Sequence, residues 1–115
     1  MAIKNPEKLH KLNPYFKNLI ILLAKRLEEH YGIDVYITSG YRTKEENKKL
    51  GGVKNSAHLY GLAVDIRARS GFERFVIIKE AFEIGIPRIG VYNNHIHLDV
   101  DTSKPFPVVW SGKSR

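Results

Sequence analysis

The sequence predicts one small α+β domain over residues 1–115, in which a mostly antiparallel sheet is covered by helices on one face. Two observations predict this fold. Apolar residues recur at helical spacing in two long segments, and apolar and polar residues alternate in short segments between and after them. A length of 115 residues also suits one compact domain and is too short to divide comfortably into two.

The first helix is predicted to begin after Asn13, a capping residue that precedes proline at the first helical position. It should end near Tyr31, because Gly32 can adopt the left-handed conformation that stops a helix. The apolar face of this helix comprises Phe16, Leu19, Ile20, Leu23 and Leu27.

Two more helices are indicated by the capping pattern Ser/Thr-x-x-Glu, which occurs at residues 43–46 and 70–73. The first of them must stop at Gly51-Gly52, and the second must stop before Gly85. The second is expected to carry a broad apolar face. Its members are Phe72, Phe75, Val76, Ile77, Ala81 and Phe82.

Alternation with a period of two predicts strands over residues 33–38 and 62–67, and two closing strands near residues 88–92 and 95–100. The tail that follows contains prolines, and we expect Trp110 to fold back onto the domain.

A face rich in ligand-type residues remains once the aliphatic side chains of these strands are assigned to the core. A merely solvated face would more often carry Lys, Glu and Thr. His58 can join this face because the chain breaks at Gly61 and can turn. The alternative to a ligand site is a solvated strand surface on which Asp65 pairs with Arg67 or a nearby lysine. The ligand-type residues of the face are Asp65, His95, His97 and Asp99.

The composition limits the chemistry and the partners. The chain has no cysteine, so a transition metal would have to be held by His, Asp or Glu. His10 and His30 lie in a polar leader and at a helix end, where we expect solvated roles. The net charge of +7 favours a polyanionic partner such as nucleic acid, an acidic membrane or an anionic cell wall.

Two of these partner classes are disfavoured by the sequence. The Lys and Arg residues are spread through the chain, which argues against nucleic acid. The longest aliphatic run, residues 19–24, is too short for membrane insertion. Residues 1–14 contain no apolar core of signal-peptide length, so we expect synthesis in the cytoplasm without a secretion signal.

Three segments carry a family resemblance. They are Ser-Gly-Tyr-Arg at residues 39–42, the pattern S-x-H-x-x-G-x-A-x-D within residues 51–66, and His-x-His at residues 95–97. Together they resemble the zinc D-alanyl-D-alanine carboxypeptidase family, whose wider group includes lysostaphin-type peptidases and the hedgehog signalling domain. The resemblance covers about residues 33–101 and implies a hedgehog/DD-peptidase-like fold.

The resemblance also implies a ligand set. His58, Asp65 and His97 would hold zinc and leave a fourth position for water, as catalytic zinc sites do. Zinc would then activate that water and polarise the amide carbonyl.

Two further residues take substrate roles from the same resemblance. Arg42 would steady the substrate and the developing oxyanion, and Ser56 would contact the substrate. The alternative for Arg42 is an arginine at a helix start that packs on Tyr41.

The general base is the open point. Several relatives carry Asp or Glu three residues before the last zinc histidine, where this chain has Asn94, and hedgehog-type domains carry Glu where it has Val91. The remaining candidates are His95 and Asp99, which flank His97 on one strand face. Either could move a proton, and Asp99 could equally orient a ligand histidine.

The implied function is a monomeric zinc peptidase that cuts peptidoglycan stem peptides, as a D,D-carboxypeptidase or an endolysin-like endopeptidase. The positive charge fits an anionic cell wall. Release by lysis, as for phage-encoded or prophage-encoded enzymes, would bring the protein to its substrate. The alternative, kept open by Asn94 and Val91, is a non-catalytic zinc-stabilised binding module of the same fold.

Overall fold

The computed structural model describes residues 3–113 of the chain. The α-helices are α1 (Pro14–Tyr31), α2 (Lys44–Lys49) and α3 (Gly71–Glu83). The strands are β1 (Ile3–Lys4), β2 (Val35–Ser39), β3 (Ala63–Arg67), β4 (Arg88–Val91), β5 (His95–Asp99) and β6 (Val108–Ser111).

The predicted limits of α1 are confirmed, because the signals that set them are local. The side chain of Asn13 accepts a hydrogen bond from the Phe16 amide at 3.2 Å, as an N-cap should. Gly32 has a φ of 65° and closes the last turn. The same holds for α2, where Thr43 and Glu46 form a complete capping box.

The sheet is mostly antiparallel, as predicted, but it is mixed rather than purely antiparallel. Its strand order is β1-β2-β3-β5-β4-β6, and the central pairs β2–β3, β3–β5 and β4–β5 are antiparallel as predicted. Both edge strands are parallel to their neighbours, β1 to β2 and β6 to β4. Neither edge strand was predicted, because β1 has two residues and β6 lies in the proline-containing tail, where alternation is not visible.

The helices α1 and α3 cover the apolar face of the sheet, as the alternation predicted. Side chains from both helices and from β2, β3 and β5 form one buried cluster. Its largest fully buried apolar members are Phe16, Ile20, Leu23, Leu27, Ile37, Ile66, Ile77, Ile96 and Leu98.

The apolar face predicted for α3 was too broad. Val76, Ile77 and Ala81 are buried as expected, whereas the side chains of Phe75 and Phe82 are exposed. At 100° per residue these two lie on the opposite side of the helix from Ile77, so all three cannot face one core. Phe72 is also exposed, at the border between the two faces.

A buried carboxylate links α3 to α1. Glu80 is fully buried and accepts hydrogen bonds from Arg26 at 2.7 Å, Tyr31 at 3.2 Å and Lys79 at 3.3 Å. His30 Nδ1 lies 3.4 Å from the same carboxylate, so this histidine is not purely solvated, although His10 is exposed as expected.

The surroundings of Glu80 favour its charged form. Burial alone would raise the pKa of Glu80, but the hydrogen bonds from Arg26, Lys79, His30 and Tyr31 outweigh it and lower the pKa to about 2. The ionised network therefore contributes to stability at neutral pH.

The substitution Glu80→Gln is expected to lower the free energy of unfolding at pH 7 by roughly 1–3 kcal/mol, because hydrogen bonds to a charged acceptor are lost. Urea denaturation followed by circular dichroism measures the change. The matched control is Glu83→Gln, which touches the same Arg26 and Lys79 from an exposed position. We expect that control to lose less than about 1 kcal/mol.

The pH dependence has a defined sign. Because the pKa of Glu80 is lowered from 4.5 to about 2, its contribution is complete above about pH 5 and disappears as the pH falls toward 2. The stability difference between wild type and Glu80→Gln should shrink over that range. A difference that stays constant from pH 7 to pH 2 would contradict the assignment.

Candidate metal centre

The register of β3 and β5 separates the core from a polar face. Val64 faces Leu98 and Ile66 faces Ile96 in the core. The residues between them project to the other side of the sheet. The facing pairs on that polar side are Ala63–Asp99, Asp65–His97 and Arg67–His95.

A short 3-10 turn, Ala57–Tyr60, brings His58 to the same place. The Ser56 hydroxyl accepts a hydrogen bond from the His58 amide at 3.2 Å, and Gly61 ends the turn with a φ of 68°. The chain then reverses into β3. As a result, His58 Nε2 lies 3.3 Å from Asp65 Oδ1, as the predicted break at Gly61 required.

The three side chains have a spacing that suits a tetrahedral metal ion. One ligand atom from each of His58, Asp65 and His97 lies within 4.8 Å of the other two. His97 Nδ1 is 3.0 Å from Asp65 Oδ1, and His58 Nε2 is 3.3 Å from it. Tetrahedral bonds of about 2.0–2.1 Å place neighbouring ligand atoms about 3.3 Å apart. Two nitrogens and one carboxylate oxygen are also donors that zinc accepts.

The second ring nitrogen of each histidine is held by an oxygen. His58 Nδ1 donates to the Gly40 carbonyl at 2.8 Å, and His97 Nε2 donates to Asp99 Oδ2 at 2.7 Å. A carbonyl oxygen only accepts, so Nδ1 of His58 carries a proton and Nε2 offers its lone pair to the site. Such outer hydrogen bonds set the tautomer and orientation of histidine ligands.

The electrostatics of the cluster keep Asp65 charged. Burial opposes ionisation, but the adjacent His58 and His97 hold the pKa of Asp65 far below its usual range. Burial alone would lower the pKa of His97, yet its bonds to Asp65 and Asp99 raise it. A proton on His97 Nδ1 competes with a metal ion, so metal affinity should fall as the pH falls.

Arg42 lies beside the cluster and is fixed at three points. Its guanidinium donates to Ser39 Oγ at 2.9 Å, Asn47 Oδ1 at 3.2 Å and Asp65 Oδ2 at 3.2 Å. It therefore contacts Asp65 through Oδ2, whereas His58 and His97 lie against Oδ1. The alternative interpretation of Arg42, packing on Tyr41, does not account for these three hydrogen bonds.

Asn47 supports Arg42 and was not found from the sequence. It is buried on α2 and donates to the Val53 carbonyl at 2.7 Å. A Cβ at Gly52 would lie 2.0 Å from Asn47 Oδ1, so only glycine allows this close approach. The run Lys-Glu-Glu-Asn-Lys-Lys of α2 looks solvated, and nothing in it marks Asn47 as buried.

Asp99 is buried and fully engaged. Its Oδ1 accepts from Arg88 Nε at 2.8 Å and from the Asp101 amide at 3.0 Å, while Oδ2 accepts from His97. The side chain of Asp99 is 2% exposed. Arg88 was not singled out from the sequence, because its partner lies on the neighbouring strand.

His95 lies at the other side of His97 and is less buried. Its ring stacks on Tyr92 with centroids 4.5 Å apart, and its Nδ1 lies 3.0 Å from Asn94 Oδ1. Its Nε2 is 4.0 Å from Asp65 Oδ2. Burial is the main cause that lowers the pKa of His95, so the neutral ring is favoured at neutral pH.

An open groove of about 920 Å³ contains the cluster. Trp110 forms one wall, since its ring centroid lies 5.4 Å from that of His97 and its Nε1 donates to the Tyr92 hydroxyl at 3.0 Å. A Cβ at Gly90 would lie 2.7 Å from the indole, so glycine lets the ring lie across β4. The prediction that Trp110 folds back is confirmed.

The structure thus brings together the residues predicted as metal ligands or catalytic groups. Ser56 also lines the groove, but its hydroxyl is used by the turn that carries His58. Its predicted contact with substrate stays a prediction.

Comparison with known proteins yields one family match. The family model described as Peptidase M15 matches residues 3–99 of the chain. A search of curated proteins finds no match. Among residues 3–113, none of the helices combines the length and apolar character that a membrane span requires.

The substitution Asp99→Asn is expected to weaken zinc binding about 10–100-fold, because it removes the carboxylate that orients His97. Competition with a chromophoric chelator measures the affinity. The matched control is Asp101→Asn, which makes the same charge change two residues away without a side-chain bond to His97. Equal zinc affinities in wild type and Asp99→Asn would show that this carboxylate does not support the metal centre.

Proposed function

The chain belongs to the peptidase M15 family, and we propose that it is a zinc-dependent peptidase that hydrolyses peptide bonds in peptidoglycan stem peptides. The observation that carries the proposal is the cluster of His58, Asp65 and His97 in an open groove. The reaction would be that of a D,D-carboxypeptidase or an endolysin-like endopeptidase. Release by lysis would bring the protein to the wall.

In the proposed mechanism zinc would be held by His58, Asp65 and His97. When bound, zinc lowers the pKa of water and polarises the carbonyl of the bond to be cut. The chain contributes a rigid ligand set, since Gly40 and Asp99 each hold the outer nitrogen of a ligand histidine.

We assign proton transfer to His95. With Nδ1 bonded to Asn94 Oδ1, its Nε2 lone pair faces the Asp65 side of the groove. A neutral imidazole in this position can take a proton from the attacking water and then return it to the leaving amine. Asn94 cannot take a proton itself. Its hydrogen bond with His95 Nδ1 selects the His95 tautomer in which Nε2 can take one.

Asp99 is proposed as a positioning residue rather than the base. Its two oxygens already accept from Arg88, His97 and the Asp101 amide, and its side chain is buried. Both oxygens are therefore occupied, and one of them orients His97.

Arg42 is proposed to stabilise charge on the substrate. Its bonds to Ser39, Asn47 and Asp65 hold the guanidinium beside the metal ligands before substrate arrives. Preorganised donors of this kind stabilise a developing oxyanion without reorganising during the reaction.

The first test is hydrolysis of purified peptidoglycan by the zinc-loaded chain. We expect clearing of cell walls and release of stem-peptide fragments, loss of both on chelation, and recovery with zinc. Mass spectrometry of the fragments identifies the bond. Activity indifferent to a chelator would overturn the mechanism, and zinc binding with wall affinity but no hydrolysis would favour the non-catalytic binding module.

The second test is His95→Ala, which is expected to lower kcat about 10²–10⁴-fold because the proton-transfer group is lost. Zinc content, measured by mass spectrometry of the metal, should stay at wild-type level. The matched control is His10→Ala, an exposed histidine in the amino-terminal segment. Wild-type kcat in His95→Ala would remove this residue from the mechanism.

A further inference from the structure

The groove continues along β3 beyond the metal centre. Arg67 lies two residues after Asp65 on the same face of the sheet, and in the ladder it faces His95. It lines the same groove as the metal cluster. A substrate that extends past His95 would therefore meet Arg67.

The guanidinium of Arg67 lies over an aromatic ring. Its Cζ is 4.1 Å from the ring centroid of Tyr36, which projects from the neighbouring strand β2. A cation–π contact of this kind restrains the guanidinium, and its N–H groups can still bind a ligand. Both side chains are only half-buried, so a ligand can reach those N–H groups.

Arg67 differs from the other groove arginines in its partners. Within residues 3–113 no carboxylate lies in ion-pair distance of it, whereas Arg42 pairs with Asp65 and Arg88 pairs with Asp99. The adjacent Arg69 occupies both oxygens of Glu73. The charge of Arg67 acts on Glu73 only at longer range.

The charge balance of the groove points to an anionic ligand. Its described lining has two acidic side chains, Asp65 and Asp99, and both are paired. Six cationic side chains line it as well. Four of them pair with carboxylates, and within residues 3–113 no ion pair offsets the other two, Arg67 and Lys113, so a positive excess remains that attracts negative groups. The six are Arg42, Arg67, Arg69, Arg88, Lys104 and Lys113.

We propose that Arg67, presented by Tyr36, binds a carboxylate of the substrate peptide and selects substrates that carry one near the bond to be cut. The inference rests on the proposed peptidase function. Residues two apart on a strand are separated by roughly 6.6 Å. An extended peptide covers that distance in about two residues, so the carboxylate should lie within about two residues of the cut.

Two sources can supply this carboxylate: an acidic side chain within the peptide or its free carboxyl terminus. The test uses synthetic stem-peptide analogues in four forms. The side chain is an acid or the matching amide, and the terminus is free or amidated. A requirement for the side-chain acid indicates cleavage within a longer chain, whereas a requirement for the free terminus indicates a carboxypeptidase.

For wild type, kcat/KM should be on the order of 10–100-fold higher for the recognised acid form than for its amide, as expected for a charge-assisted bidentate contact. Arg67→Gln should bring this ratio close to one, mainly through KM. The matched control is Arg69→Gln, because Arg69 already pairs with Glu73. This variant should keep the wild-type ratio. Tyr36→Leu should reduce the ratio, and Tyr36→Phe should keep it because the ring remains.

A failure of this inference can be distinguished from a failure of the proposed peptidase function. If none of the peptides is hydrolysed, the proposed function fails, and the carboxylate site is tested by the Kd of the zinc-loaded chain for the acid and amide forms. A wild-type chain that treats acid and amide forms alike, in turnover and in binding, would overturn the inference. So would an Arg67→Gln variant that keeps the preference.

Discussion

The polar side of the sheet is organised around one buried carboxylate. Asp65 accepts from His97 at 3.0 Å, lies 3.3 Å from His58 Nε2, and accepts from Arg42 at 3.2 Å through its second oxygen. A buried charge of this kind is tolerated only when it is paired. The two histidines of the candidate metal centre and Arg42 therefore depend on a single side chain in the middle of β3.

The alternation of residues along β3 places Asp65 on the groove side of the sheet and the aliphatic residues on the core side. Val64 and Ile66 pack under α1 and α3, while Asp65 and Arg67 project into the groove. A slip of one residue in the pairing of β3 with β5 would move the aliphatic side chains to the groove and the ligands into the core. Burial of the apolar face thus holds the site in register.

The groove has two ends with different chemistry. At the end of the groove beyond Ala63, the cationic side chains are paired with carboxylates. Arg88 pairs with Asp99, and Lys104 pairs with Asp101 at 3.2 Å. Beyond His95 the guanidinium of Arg67 is oriented on Tyr36 without a carboxylate partner in the described part of the chain. One end therefore supports the candidate metal ligands, and the other is suited to hold the proposed substrate.

The sequence by itself determined the α-helices and the central strands, because these are encoded in short segments, and the family resemblance pointed to His58, Asp65 and His97 as a candidate ligand set. Caps at Asn13 and Gly32 act within a few residues, and period-two alternation assigns Asp65 and His97 to one face. What the tertiary structure decided depends on contacts between distant segments: the parallel edges β1 and β6, the exposed side of α3, and the partners that bury Asn47 and engage Asp99. Local patterns specify which way a side chain points along its own element, whereas only packing decides what it meets there.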